Sequence, residues 1–161
     1  VAAVLAALPE TWQAVVIGQG SLAGALAEAM QANGLQDRWR QIPQLPNAEV
    51  QAYYHACDVF LNCNDREIFG MSLLEAMYAG CVPVARCAPG PDMIVEDGVS
   101  GFLVEPGVGD TAALASAVRK AAEAPAMADA AKARIRSKFL WRNSAETALA
   151  MLQTKGVNRD G

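Results

Sequence analysis

Short apolar runs alternate with longer amphipathic stretches along most of this chain, and that alternation limits the folds open to it. The strand candidates are Ala14–Ile17, Arg38–Ile42, Asp58–Leu61, Val82–Ala85 and Gly101–Val104. Runs of four or five residues suit strands buried on both faces. Between them lie helix candidates. Ser21–Asn33 has Ser21 as N-cap and Gly34 at its C-terminal end, 48–56 is capped by Asn47, and Gly70–Ala79 is closed by Gly80. After Pro106 the spacing predicts helices over 110–123, 127–139 and 141–154, with Pro125 as a break. Pro83 belongs near the start of its strand, because proline has no N–H for a central ladder. Ala88-Pro89-Gly90-Pro91 reads as a turn-rich loop, and Glu96-Asp97-Gly98 as a turn. Strands joined through helices pair in parallel with right-handed crossovers. The expected fold class is therefore α/β, a parallel sheet with helices on both faces.

Composition narrows the function classes. The chain has 161 residues, one domain's worth, and 53% are hydrophobic, enough for a real core. With 32 alanines and only 6% aromatics, that core is small and aliphatic. Thirteen basic residues against seventeen acidic ones give a net charge of −4, so no nucleic-acid partner is expected. The deficit lies in residues 1–80, with three basic and eight acidic residues. Cysteines at 57, 63, 81 and 87 form no CxxC, and His55 is the only histidine. Reduced, mostly buried thiols in a cytoplasmic protein are the expectation, rather than zinc or disulfides. No apolar run approaches the roughly 20 residues of a membrane helix. The opening VAAVLAALPE lacks the basic flank of a signal peptide. A first residue of Val suggests a fragment.

In open α/β sheets, ligands bind beyond the carboxyl ends of the strands. Those ends are Gly18-Gln19-Gly20, Pro43-Gln44, Asn62 to Gly70, and Arg86 to Asp92. The third is the most informative. It leads from a polar loop through Gly70 into the helix Met71-Ser72-Leu73-Leu74-Glu75-Ala76-Met77. A helix start carries unpaired N–H groups and partial positive charge, a setting for phosphate. Gly70 lets a ligand approach the backbone, and Ser72 adds a hydroxyl. Glu67 and Glu75 flank this point. Carboxylates repel phosphate but accept hydrogen bonds from sugar hydroxyls. A diphosphate with a sugar at each end fits both features, and a nucleotide sugar has that shape.

The spacing Glu67-x7-Glu75, within E-x-F-G-x-x-x-x-E-A-M-x-x-G-x-P-V, resembles the donor-site signature of the GT-B retaining glycosyltransferases of family 4. Val15-Val16-Ile17-Gly18-Gln19-Gly20, Ala56-Cys57-Asp58-Val59-Phe60, Gly80-Cys81-Val82-Pro83-Val84 and Asp97-Gly98-Val99-Ser100-Gly101-Phe102-Leu103-Val104 resemble further motifs of that family, in order. The resemblance implies a Rossmann-like donor-binding domain over 1–161, the C-terminal half of a GT-B fold, with its first strand and the acceptor domain missing. It implies that Glu75 binds ribose hydroxyls and that Glu67, the catalytic-site carboxylate, holds the transferred sugar. The backbone around Phe69, Gly70, Met71 and Ser72 would face the sugar and diphosphate, with Gly18, Gly20 and Ile42 on the donor side as well. The implied reaction is retaining transfer of a hexose from a UDP- or GDP-sugar to a glycan or lipid-linked acceptor. No bound metal or other cofactor is implied, and the isolated piece is expected to be inactive. In relatives the last helix reaches towards the other domain, so 141–154 here is expected to expose apolar surface and favour homodimers. Pro43 stands where the family usually has Gly.

Competing readings remain open on sequence alone. Gly18-x-Gly20-x-x-Ala23 imitates a dinucleotide fingerprint, and Arg38 or Arg40 would then take the 2′-phosphate in an NADP-dependent oxidoreductase. A nucleotide-binding module without catalysis is the other alternative. Asp65-Arg66-Glu67 is a poor metal site, with too few supporting carboxylates. Arg66 is placed either to pair with Glu67 or to reach the donor. His55 reads as a surface or packed histidine. Tyr53, Tyr54, Trp39 and Trp141 read as packing residues. Lys132, Arg134, Arg136 and Lys138 read as a solvated helix face, with peripheral contact to anionic lipid at the inner membrane face as its functional counterpart.

Overall fold

A computed structural model describes residues 1–156 of the chain, with side chains through Gln153. The described residues form five strands and eight α-helices. They run α1 (Ala2–Ala6), β1 (Ala14–Ile17), α2 (Ala23–Ala32), β2 (Trp39–Ile42), α3 (Asn47–Ala56), β3 (Val59–Asn62), α4 (Met71–Ala79), β4 (Val82–Arg86), α5 (Pro89–Ile94), β5 (Phe102–Val104), α6 (Asp110–Glu123), α7 (Ala126–Lys138) and α8 (Trp141–Gly156). Every strand pairing between these elements is parallel.

The strands form two ladders rather than one continuous sheet. β1 pairs with β2, and β3-β4-β5 form the other ladder with β4 at its centre. A shared apolar layer spans both, since Trp12, Ala14 and Trp39 pack against the same cluster as Val59 and Leu61. Successive residues of a strand face opposite sides, and this sorts the core into two layers. Val82, Val84 and Val104 face Leu5 of α1 and Leu114 and Val118 of α6. Phe60 and Leu103 face Leu73 and Met77 of α4, Ile94 of α5 and Ile135 of α7. Helices therefore cover both faces of the three-stranded ladder, as the apolar runs require.

Several boundaries differ from expectation for identifiable reasons. Ser21 does not cap α2, because the Ala23 N–H bonds to Gly20 O in a turn that delays the helix. Asn47 is the first helical residue of α3 and Pro46 precedes it as N-cap. Arg38 lies in a 3-10 turn, Gln36–Arg38, before β2. The Pro-rich segment after β4 is a helix, α5, not a loop. Proline at the first helical position costs nothing there, since that N–H has no helical partner. Among the four thiols only Cys81 is buried, while Cys57 is exposed and Cys63 and Cys87 lie between. Burial holds the Cys81 thiol up at about 12, and it donates to Tyr54 O. Among the described residues no helix is long and apolar enough to cross a membrane.

Candidate functional site

The loop after β3 is shaped by its own side chains. The Asn62 side chain accepts the Asn64 N–H at 2.9 Å, and the Asn64 side chain accepts the Arg66 N–H at 3.0 Å. These two Asx turns deliver Glu67 to the start of α4. Its carboxylate accepts the Phe69 N–H and the Asn64 side-chain amide, both at 3.4 Å, and its carbonyl accepts the Gly90 N–H at 2.9 Å. Gly70 then turns the chain into the helix with φ +87°, a left-handed conformation that disfavours other residues. Its carbonyl accepts the Leu73 and Leu74 N–H groups. The N–H groups of Met71 and Ser72 have no acceptor among the described residues.

The apolar spacing of α4 decides where Glu75 lies. Leu73, Leu74, Ala76, Met77 and Ala79 are buried, so that arc faces the core. Met71, Ser72, Glu75 and Tyr78 occupy the opposite arc. Glu75 follows Ser72 by three positions and Met71 by four, which makes it their neighbour on the helix surface. Both acids thus border one open helix end: Glu67 precedes it and Glu75 lies on the arc leading to it. That end is not blocked by protein. Ile68, Phe69, Met71 and Ser72 are exposed, and only Gly70 is buried among them. Beside the end lies a cavity of about 390 Å³ whose lining includes Phe69, Met71, Glu75, Tyr78 and Trp141. Glu75 also faces Tyr54 of α3. Burial, and then this carboxylate, push the Tyr54 hydroxyl up to about 12.

The other sequence candidates sit at the second ladder. Gly18 follows β1, has φ +130° and donates its N–H to Ile42 O at 2.9 Å. Ile17 and Ile42 are register partners, so Gly18, Gly20 and Ile42 gather at the carboxyl end of the β1-β2 ladder. No hydrogen bond among the described residues joins this group to 67–75.

Arg38 is not free for a 2′-phosphate. Its guanidinium donates to Leu5 O, Leu8 O, Pro9 O and Trp12 O, closing the carbonyl end of α1. Arg66 makes no ion pair with Glu67. His55 is an exposed histidine whose Nδ1 lies 3.1 Å from Ala79 O, at the carboxyl end of α4. The basic face of α7 is not wholly solvated. Arg134 turns inward and donates to Ile94 O, Met93 O and Glu96. Arg136 lies over the Tyr78 ring at 5.7 Å.

Two supporting groups escape sequence reasoning. Arg86, at the carboxyl end of β4, bonds Cys63 O at 2.9 Å and pairs with Asp110 of α6 at 2.7 Å. It ties the start of the 62–70 loop to the next helix. Gly90 contacts the other end of that loop. A charge or glycine just after a strand was the available signal, but it names no partner.

The family described as "Glycosyl transferases group 1" matches residues 1–138. The chain belongs to that family. Among its members' relatives, the sucrose synthase of Acidithiobacillus caldus is 35% identical over 99 residues, 58% of this chain and 12% of that protein. The chain spans only 10% to 12% of the lengths of the first three sucrose synthases it matches. Its fold is that of GT-B glycosyltransferases. Anabaena HepE in complex with UDP superposes with a TM-score of 0.81 at 24% identity, covering 94% of this chain and 43% of HepE. The C-terminal domain of a group 1 glycosyl transferase, LpcC of Francisella tularensis, gives a TM-score of 0.74 at 24% identity, covering 86% and 76%.

Proposed function

We propose that residues 1–161 form the donor-binding domain of a retaining glycosyltransferase, and that α4 is where its nucleotide-diphosphate sugar lies. The carrying observation is the open N-terminal end of α4, with unpaired Met71 and Ser72 N–H groups between Glu67 and Glu75. The diphosphate sits on those N–H groups, where the helix dipole favours negative charge. Glu75 accepts the ribose hydroxyls. Glu67 accepts hydroxyls of the transferred hexose, and the Phe69–Gly70 backbone borders the same sugar. Gly18, Gly20 and Ile42 border the nucleotide side. During transfer the bond from the anomeric carbon to the diphosphate oxygen breaks, a bond to an acceptor hydroxyl oxygen forms with retained configuration, and the hydroxyl proton passes to the leaving diphosphate oxygen. Charge grows on the leaving diphosphate, and the helix end stabilises it without rearrangement.

The solved complexes of HepE with UDP and with UDP-glucose support a uridine nucleotide over a guanosine one. The acceptor, a glycan or lipid-linked sugar, contacts a separate acceptor domain, so this piece alone does not turn over. A cytoplasmic site, at the inner membrane face for lipid-linked acceptors, follows from the same reading. The oxidoreductase alternative loses one of its two phosphate-binding candidates, since Arg38 is engaged by carbonyls of α1 and the segment after it, and only Arg40 is left to it.

Titration with UDP, GDP and UDP-glucose, followed by amide NMR and calorimetry, tests the proposal. Shifts are expected at Phe69–Ser72 and Glu75. Glu75→Ala removes hydrogen bonds to a charged acceptor, typically about 1.5–3 kcal/mol, so the affinity for UDP falls tenfold or more. Equal affinity in that variant removes Glu75 from the site.

A further inference from the structure

We infer that Gly90, on α5, is a positioning residue that sets the Glu67 loop for the sugar donor. This rests on the reading of α4 given under Proposed function. A helix start leaves its first N–H groups without helical partners. In α5 one of them, from Gly90, is donated to the Glu67 carbonyl at 2.9 Å. The same residue lies against the next stretch of loop. A Cβ built on Gly90 would stand 2.6 Å from Phe69 O, 2.7 Å from Phe69 C and 2.9 Å from Phe69 N. Those are backbone atoms, which cannot rotate aside as a side-chain tip does. Gly90 has no positive φ, so its own backbone accepts alanine. The absence of a side chain there therefore serves the close approach to Phe69.

Which partner would yield is decided by anchoring. Just before α5 the Cys87 N–H donates to Val104 O of β5 at 2.9 Å, and the far end of the helix is anchored more firmly. Ile94 is fully buried against Leu73 and Met77 of α4. Its carbonyl accepts Arg134 Nε at 2.6 Å, and the Met93 carbonyl accepts Arg134 Nη2 at 3.2 Å. The loop opposite is looser: Ile68 and Phe69 are exposed, and the Glu67 carboxylate is held only by 3.4 Å contacts. An added methyl group at Gly90 displaces the loop, not α5. Glu67 and the Phe69–Gly70 backbone then move together, away from the Met71 and Ser72 N–H groups.

The test compares Gly90→Ala with Gly107→Ala in this chain. Gly107 has open space around a Cβ and no positive φ, so it is the matched control. Amide spectra of the ligand-free proteins are read first, then affinities for UDP-glucose and for UDP. Gly90→Ala is expected to shift amides at 66–72 and to weaken UDP-glucose binding by about tenfold or more, as ångström misplacements do. UDP, lacking the hexose that Glu67 holds, weakens less. The Gly107 variant changes neither. Gly90→Ala that melts lower but binds UDP-glucose like the parent makes the residue merely structural and overturns the inference. So does an equal loss for UDP and UDP-glucose. If the parent chain binds neither ligand, the donor-site reading fails, and the amide shifts at 66–72 alone decide whether Gly90 sets the loop.

Discussion

Arg134 carries more of this molecule's stability than its place among four basic residues suggests. Its side chain is 16% exposed, and its guanidinium satisfies two carbonyls at the end of α5 and the Glu96 carboxylate. A hydrogen bond involving a charged group contributes about 1.5–3 kcal/mol, and orphaned carbonyls cost more. Arg134→Met keeps the aliphatic stem and removes the charge. It is predicted to cost about 2–3 kcal/mol, a fall of roughly 4–12 °C in the thermal midpoint for a chain of this size. A melt within 1–2 °C of the parent would show that water replaces the guanidinium. The same residue shows what is readable in a sequence. Glu67 and Glu75 could be picked out because their meaning is local, a fixed spacing around one helix start. Arg134 acts on residues forty positions away, and no spacing within α7 announces that. Arg38 is similar, since its partners lie on α1 and the segment following it.

The order of strands and helices was legible, because burial on both faces writes continuous apolar runs and crossovers write helical periods. What failed was short-range punctuation. Pro89-Gly90-Pro91 looks like a turn, yet it begins α5, because a first helical turn tolerates missing N–H groups. Pro83 does lie early in its strand, as its missing N–H requires. It is second in β4 and pairs with Phe60, while the ladder to β5 begins only at Val84. On the β5 side Gly101 runs against it instead. A Cβ there would lie 2.4 Å from Pro83 Cγ and 2.7 Å from Pro83 O. Gly101→Ala therefore wedges β5 away from the centre of the ladder. Overpacking of this kind costs about 1–3 kcal/mol, and here a rigid ring and a backbone oxygen both resist relief. Denaturant unfolding of Gly101→Ala should give a lower midpoint with an unchanged slope. A midpoint equal to that of the parent would mean the strand ends part freely.

At the scale of the whole chain, α8 stands apart from the two-layered core. Trp141, Ala145, Ala148, Leu149 and Leu152 recur at the spacing of one helix face, the pattern of a helix that buries a stripe. Yet all five are exposed, Trp141 by 89% and Leu152 by 70%. The start of the helix is fixed: the Asn143 side chain accepts the Leu140 N–H and donates to Ser137 O. The stripe is therefore presented in a set direction rather than left to a loose tail. Apolar stripes of this kind are association surfaces, and a second copy of the same helix offers a matching one. The chain is predicted to form dimers at high concentration, and Leu149→Glu with Leu152→Glu to return it to monomer. Light scattering across a concentration series reads both. Strict monomers in the parent chain would mean that the stripe is tolerated in water, and the argument from its spacing would fail. Because the stripe begins at Trp141, which also lines the cavity beside Glu75, dimerisation should alter the spectrum of the α4 arc while leaving the β1-β2 ladder unchanged. That contrast separates association through α8 from non-specific aggregation.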